Sequence, residues 1–348
     1  MGGAGGGIST SVHMTGYAKP WTSYADQLRI LQQCGMQVSD AAKALEYLGR
    51  IGYYRLSGYW HDMRQWQCDA NGLRVVLDQF KPGTQFQDVV ALYVFDKRLR
   101  LLVLDALERI EIALRVDLSY RLGQKGPFAY LDPANFNAVF TQKKKRSGLT
   151  AYAEWLQKHD SLIRRSSEKF IQHNRNKYGL PLAIWVACEV WDFGCMSVLF
   201  SGVPEPEQND IAKSYGLPAD SGSVMVSWLR SLNYVRNVCA HHRRLWNRNV
   251  VDQPKLPKKG AVQALDVFHG KAWLVARPFA LLCICQHLMQ QINPHSSWSQ
   301  RVRVLLESFP PLHHVGLTLQ GMGMEAQWLQ ALDDGRPAYW TSLLRCEG

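Results

Sequence analysis

Along most of this chain apolar residues recur every three to four positions, the period of helices rather than strands. The clearest case runs from Phe86 to about Leu122. There Val89, Leu92, Phe95, Leu99, Leu102, Val103, Ala106, Ile110, Ala113, Leu114 and Leu118 form one broad apolar stripe. Asp96, Arg100, Asp105, Glu108, Arg109, Glu111 and Arg115 fall on its other faces. The pattern predicts one long helix or two joined ones. Upstream, Thr22 is placed to cap a helix through Gln33, which Cys34-Gly35 stops, and Ser39-Asp40 opens a second from Ala41 to about Tyr54. The aromatic run from Gly49 to Trp60 reads as a packed helix-to-turn joint ahead of a ligand site. Asn71-Gly72, between Gln65–Cys68 and Leu73–Leu77, predicts a hairpin.

Downstream, Gly123 to Phe136 is rich in turn residues. Helices are predicted from Glu154 to about Phe170, from Pro181 to about Phe193 with a short continuation over Gly194–Gly202, over Glu207–Tyr215 and over Val224–Asn237. A last one spans Phe268–Ile292, kinked or started at Pro278. The fold class is therefore mostly α with a minor β-hairpin. The expected organisation is a flexible Gly-rich stretch (1–18), an N-terminal helical region with the hairpin (19–84), a helical core (85–293) with a basic insertion at about 138–180, and a C-terminal tail (294–348). No internal repeat is present.

Composition narrows the class. The chain has 348 residues, 47% hydrophobic and 20% charged, which excludes a disordered or fibrous protein. No apolar stretch reaches the roughly 18 residues of a membrane span, and the best attempt, Ala272 to Ile284, is broken by Arg277 and Pro278. The eight cysteines form no Cys-x-x-Cys, and Cys283-x-Cys285 lacks a second half-site for zinc. Scattered thiols without a signal peptide fit a cytoplasmic protein. No cofactor or metal is expected.

The net charge of +11 changes the picture, because it is local. Thr141–Leu180 carries ten Lys/Arg against three acids, and Trp228–Gly260 eight against one. Each segment is +7, so the remaining 275 residues sum to −3. Solvated loops explain either segment alone. Two of them, interleaved with Tyr152, Trp155, Tyr178, Trp228 and Trp246, point to an RNA surface on which cations hold phosphates and rings stack with bases. The candidate RNA-binding residues are Lys143, Lys144, Lys145, Arg146, Arg164, Arg165, Arg243, Arg244, Arg248, Lys258 and Lys259.

Trp228 to Arg248 is the most informative stretch. It starts as an amphipathic helix and ends in Arg236, Asn237, His241, His242, Arg243 and Arg244. No nucleophile stands beside a base, and no carboxylates for a metal lie nearby. Arg, Asn and His in a positive field are parts for metal-free RNA cleavage. A neutral His can take the proton of a ribose 2′-OH, or an imidazolium can give one to the leaving 5′-oxygen. Arg can hold the charge of the pentavalent phosphorane. On an ideal helix Arg236 and His241 stand about 140° apart, and Asn237 and His241 about 40°. The three converge only if the helix loosens near His241 or a second copy of the motif faces the first. A basic helix end that caps carbonyls, or pairs with Glu108 and Glu111, stays open as an alternative. Glu108, Glu111 and Glu189 are candidates to support the site, with Arg236 or Arg230 as partner for the last.

Arg236-Asn237-x-x-x-His241 resembles the R-x4–6-H signature of HEPN-domain ribonucleases, and His242 satisfies the same spacing. Tyr53–Trp60, Phe95–Arg100, Glu108–Arg115, Leu180–Trp185 and Arg236–Arg248, in this order, resemble the Abi_2 family of abortive-infection proteins of the AbiD/AbiF type. The resemblance runs from about Lys19 to about Ile292. It implies a HEPN-like helical bundle with an N-terminal extension, a phage-defence toxin with endoribonuclease activity, and a homodimer whose two motifs share a cleft. It further implies Arg236, Asn237 and His241 or His242 as catalytic residues. A cognate small structured non-coding RNA is the implied partner, and no membrane. The alternative is a dimeric RNA-binding defence protein without nuclease activity. A DNA-binding regulator ranks third, for want of a recognition helix.

Overall fold

The computed structural model describes residues 20–325. The expected Gly-rich stretch at 1–18 and the end of the tail lie outside them. Helices α1 (Tyr24–Gln33), α2 (Ala41–Arg50) and α3 (Tyr53–Trp60) come first, then the hairpin β1 (Arg64–Cys68) and β2 (Arg74–Phe80). The hairpin pairs antiparallel, with Trp66 opposite Val76 and an irregularity between Arg64 and Trp66. Helix α4 (Phe86–Gln124) follows, then α5 (Ala138–Gln142), α6 (Ala151–Arg165), α7 (Lys169–Tyr178), α8 (Ile184–Ala187), α9 (Phe193–Gly202), α10 (Glu205–Ser214) and α11 (Gly222–Ala240). Short α12 (Ala272–Val275), α13 (Pro278–Ile292) and α14 (Trp298–Glu307) complete the order. Among the described residues the fold is mostly helical, with this one two-stranded sheet.

Helix α4 is a single 39-residue helix and the axis of the molecule. The Gln85 N–H donates to Asp88 Oδ2 at 2.9 Å and opens it. Helices α3, α9, α11, α13 and α14 all pack against it. One continuous apolar core results, from Leu28 in α1 to Met324. Its largest buried side chains include Trp60, Trp155, Trp191, Trp228, Trp246 and Trp298.

Several expectations are corrected. The first helix is capped by Ser23, not Thr22: Ser23 Oγ accepts from the Asp26 N–H at 3.2 Å. The second stops at Arg50, because Gly52 turns at φ 93°, a conformation that glycine supplies, and α3 starts anew. No helix opens at Pro181. The chain bends at Leu180 and Pro181 and enters no helix before Ile184, whose N–H bonds the Pro127 carbonyl at 2.8 Å, and α8 lasts four residues. The expected continuation over Gly194–Gly202 is its own helix, α9, opened by Asp192 accepting from the Cys195 N–H at 2.7 Å. The helix expected to reach Phe170 ends at Arg165. Of the two alternatives at Pro278 the structure has the start: α13 runs from Pro278 rather than from Phe268.

Two corrections bear on the site. Asp96 and Arg100 do not face outward on α4; they are 0% and 4% exposed. Four of the five aromatics read as stacking platforms, Tyr152, Trp155, Trp228 and Trp246, are core side chains, and Tyr178 alone of them is exposed. Two of the three indoles find partners inside: Trp155 Nε1 donates to the Cys195 carbonyl at 3.0 Å and Trp228 Nε1 to the Lys255 carbonyl at 2.9 Å, while Trp246 Nε1 is buried without one.

Candidate functional site: the end of helix α11

Helix α11 stays regular to its last residues. The His241 N–H still reaches the Asn237 carbonyl at 3.0 Å, an i→i−4 bond. The chain turns one residue later. His242 adopts φ 55°, the His242 N–H bonds the Cys239 carbonyl at 3.0 Å, and the Arg243 N–H bonds the Val238 carbonyl at 2.9 Å. These are the two hydrogen bonds of a Schellman ending. Glycine usually holds its left-handed position; a histidine holds it here, at a cost of about 1–2 kcal/mol. Asn237 and His241 therefore share a face, both exposed, and His242 and Arg243 follow them into solvent. Arg236 keeps the opposite bearing of the ideal helix, so the helix does not loosen to bring Arg236 to His241.

Arg236 instead faces acids. Its charge acts on Glu111 of α4 and on Asp192, the cap of α9. Burial raises the Glu111 carboxyl above its ordinary range, with Arg115 and Arg236 pulling against it. Burial acts on Asp192 too, but it is outweighed. A 2.6 Å bond from Lys158 Nζ, the Cys195 N–H, and the charges of Lys158 and Arg236 hold Asp192 below the ordinary value. Close packing of α9 on α11 makes this possible: a Cβ on Gly194 would sit 3.2 Å from Asn233 Oδ1. Glu108 is exposed nearby and adds to the upward push on Glu111. The partner of Glu189 is Arg115 at 3.6 Å, rather than Arg236 or Arg230. Arg115 also binds Glu111 at 3.2 Å and the Trp191 carbonyl at 3.1 Å.

From behind, a buried cluster fixes the turn. The Asp96 carboxylate accepts from the Leu245 N–H at 3.1 Å, the Trp246 N–H at 2.7 Å and Tyr59 Oη at 2.7 Å, and forms an ion pair with Arg100. Burial pushes the Asp96 carboxyl upward, Arg100 and these donors pull it down, and every one of the four contacts needs the carboxylate as acceptor. Arg55 Nη1 donates to the His242 carbonyl at 2.7 Å, and Arg244 Nη1 to the Gly58 carbonyl. The segments Tyr53–Trp60, Phe95–Arg100 and Arg236–Arg248, far apart in sequence, thus meet in one network. Tyr59, Arg55, Asp96 and Arg100 were not among the expected site residues. Their visible signal was the polar pair Asp96 and Arg100, one helical turn apart amid apolar neighbours.

The basic residues divide. Lys143, Lys144, Arg146, Arg164 and Arg165 are exposed around α6, and Lys145 pairs with Glu154 at 2.6 Å. Arg243, Lys258 and Lys259 are exposed as well. Arg244 is bound to α3 and Asp62, and Arg248 Nε donates to Tyr234 Oη at 2.7 Å. Among the described residues no group of His, Cys, Asp and Glu is arranged to hold a metal ion. No described helix is long and apolar enough to cross a membrane.

Residues 46–247 match the family model of Abi-like proteins, Abi_2. The chain belongs to that family. The matched interval covers Tyr53–Trp60, Phe95–Arg100 and all but the last residue of Arg236–Arg248, together with Glu111 and Asp192. Membership points to abortive infection of phage-infected cells. No curated protein and no solved structure matches this Abi-like chain.

Proposed function

We propose that this Abi-like protein is a phage-defence toxin, a HEPN-type endoribonuclease that works without a metal and is bound by a small structured non-coding RNA. One observation carries the reading. A buried carboxylate, an arginine and a tyrosine immobilise a turn whose outward side chains, Asn237, His241 and His242, make no hydrogen bond among the described residues. Such a rigid backing with exposed histidines suits acid–base chemistry on a bound polyanion. In that chemistry one imidazole takes the 2′-OH proton, the 2′-oxygen attacks phosphorus, and the P–O5′ bond breaks. The 5′-oxygen leaves with a proton from a second acid. The products are a 2′,3′-cyclic phosphate and a 5′-OH. Arg236 and His241 stand on different faces of a regular helix, which favours a cleft shared by two copies, each supplying the face the other lacks.

The test is cleavage of RNA by the purified protein in EDTA. Wild type is expected to yield cyclic phosphate ends, and His241→Ala or His242→Ala to abolish cleavage while RNA binding persists. If both single variants cleave normally, the enzyme reading fails. A non-nucleolytic RNA-binding role is the second reading, favoured by the acids that already balance Arg236 within one chain. It predicts toxicity indifferent to both histidines.

A further inference from the structure

Behind the α11 turn lies a cleft of about 620 Å³, walled by the hairpin, residues 244–247 and a glycine-rich segment at 316–321. Four cations line it: Arg74, Lys81, Arg244 and Arg277. One carboxylate, Asp62, faces them, and it is already shared: Asn247 Nδ2 donates to it at 2.6 Å and Arg244 lies 3.5 Å away. The other three cations meet neutral partners. Lys81 Nζ donates to the carbonyls of Asp62 at 3.0 Å and Val315 at 2.5 Å. Arg277 donates to the Asn247 carbonyl at 2.8 Å, and Arg74 lies over the Trp66 ring at 4.6 Å. The cleft thus holds a surplus of three positive charges in a half-buried wall. Burial, and then the charge of Arg74, hold the Lys81 ammonium below its ordinary range. A bound anion relieves that crowding.

The shape of the wall is specific. A Cβ on Gly321 would fall 2.5 Å from the Trp246 ring, and one on Gly316 3.4 Å from Lys81 Nζ. Gly321 is what lets the segment approach the Trp246 ring this closely, while Gly316 serves through its φ of 73°. Trp66, 49% exposed, offers an indole at the rim. The volume falls within the roughly 300–1,000 Å³ of small-molecule sites. Partly buried Lys81 and Arg277 inside the cleft, with Arg74 and an aromatic ring at its rim, match the two halves of a nucleotide: phosphate inside, base outside.

We propose that this cleft binds the phosphate of a nucleotide through Arg74, Lys81 and Arg277, with the base beside Trp66. The phosphate belongs to a free mononucleotide or to the 5′ end of an RNA. None of these residues is in the Arg236–His242 motif, so the site stands whether or not the protein cleaves RNA.

The experiment is calorimetric titration of the full-length protein, stripped of nucleic acid, with AMP, adenosine and inorganic phosphate. AMP is expected to bind at one site per chain, and adenosine about tenfold or more weaker. Arg74→Glu, on an exposed strand position, lowers AMP affinity by a similar factor, and Trp66→Ala weakens AMP but not inorganic phosphate. His241→Ala retains AMP affinity. Should Arg74→Glu unfold, Arg74→Gln gives the same reading in smaller steps. A short RNA is then compared with a 5′-phosphate and with a 5′-hydroxyl. A preference for the phosphate that Arg74→Glu erases assigns the site to RNA ends; AMP binding without that preference assigns it to a free nucleotide. The proposal is overturned if AMP fails to bind, if adenosine binds as tightly, if Arg74→Glu, Arg74→Gln and Lys81→Met all leave AMP affinity unchanged, or if polyglutamate displaces AMP at lower concentration than phosphate does.

Discussion

Two segments of this protein carry the same net charge of +7 and use part of it differently. In Thr141–Leu180 most cations are outside and one of the two histidines, His159, is inside, while His173 is exposed. Lys143, Lys144, Arg146, Arg164 and Arg165 face solvent, while His159 is 4% exposed and packed among Tyr130, Trp155 and Trp191. In Trp228–Gly260 Arg230, Arg243, Lys255, Lys258 and Lys259 are exposed too, but part of the charge is turned inward. Arg244 and Arg248 bind the protein's own carbonyl and hydroxyl groups, and His241 and His242 are exposed. Equal charge therefore does not mean equal function. A cation with N–H donors to spare is available to phosphates, whereas one spent on closing a turn is architecture that happens to be positive.

The sharpest way to break this contrast is to remove the anchor of the second segment. Asp96→Ala leaves Arg100 buried without its partner and strips two backbone N–H groups of their acceptor. It is expected to cost about 3–5 kcal/mol of unfolding free energy. Asp252→Ala removes an exposed pair with Arg230, at 3.3 Å, and is expected to cost less than about 1 kcal/mol. Urea unfolding of both variants decides it. Similar losses would mean that the 244–248 turn is not held from Asp96.

That anchor also marks how far the sequence could be read. The mostly helical fold, the hairpin at Asn71-Gly72, the extent of α4 and the motif at the end of α11 all follow from local periodicity and turn residues, and the structure has them. The burial of Asp96 does not follow. Its partners at Leu245 and Trp246 are some 150 positions away, and a polar pair one turn apart looks the same on a solvated face. The path from Pro181 to Asp192 was misread for the same reason: the carbonyl of Pro127, not a local cap, receives the Ile184 N–H. Among the candidate site residues, Arg236, Asn237, His241 and His242 are legible as residue types. The left-handed turn that separates His242 from the helix is not, since no glycine announces it.

The buried histidine of the first segment gives a smaller effect, dependent on pH. Trp191 Nε1 donates to His159 Nδ1 at 2.9 Å, which needs the ring neutral on that nitrogen. Burial holds the His159 pKa below its ordinary value, as it does for His287 in α13, where the Tyr215 carbonyl pulls weakly the other way. A base with a lowered folded pKa leaves the unfolded chain binding more protons below about pH 6.5, so stability is present above that pH and is lost as pH falls through it. Each histidine contributes at most about 1.4 kcal/mol per pH unit within its window. Denaturant midpoints measured from pH 7 to pH 5 should fall, and His159→Gln should flatten the fall. A profile that stays level in wild type counts against buried neutral histidines.

Binding discriminates the segments without touching stability. Replacing Lys143, Lys144 and Arg146 by Ala should leave the unfolding midpoint in place and flatten the dependence of RNA affinity on salt by about 0.7 slope units per lost contact to single-stranded RNA. Arg248→Ala should do the reverse, lowering the midpoint and leaving the slope alone. If the triple variant keeps its slope, the first segment is solvated rather than RNA-facing, and the contrast between the segments loses its functional half.

The smallest expected effect separates two roles of a single residue. His242 occupies a left-handed position that glycine tolerates without cost, so His242→Gly should relieve about 1 kcal/mol of backbone strain, partly offset by the freer unfolded chain. His242→Ala keeps the strain and also removes the imidazole. The net gain in the glycine variant is expected at about 0.5 kcal/mol, readable as a small rise in the urea midpoint. Catalysis then reads the other role. If the imidazole moves a proton, both variants lose cleavage even though one is the more stable protein. If His242 only shapes the turn and His241 does the chemistry, His242→Gly retains cleavage, and the strain at φ 55° is a structural compromise rather than part of the mechanism.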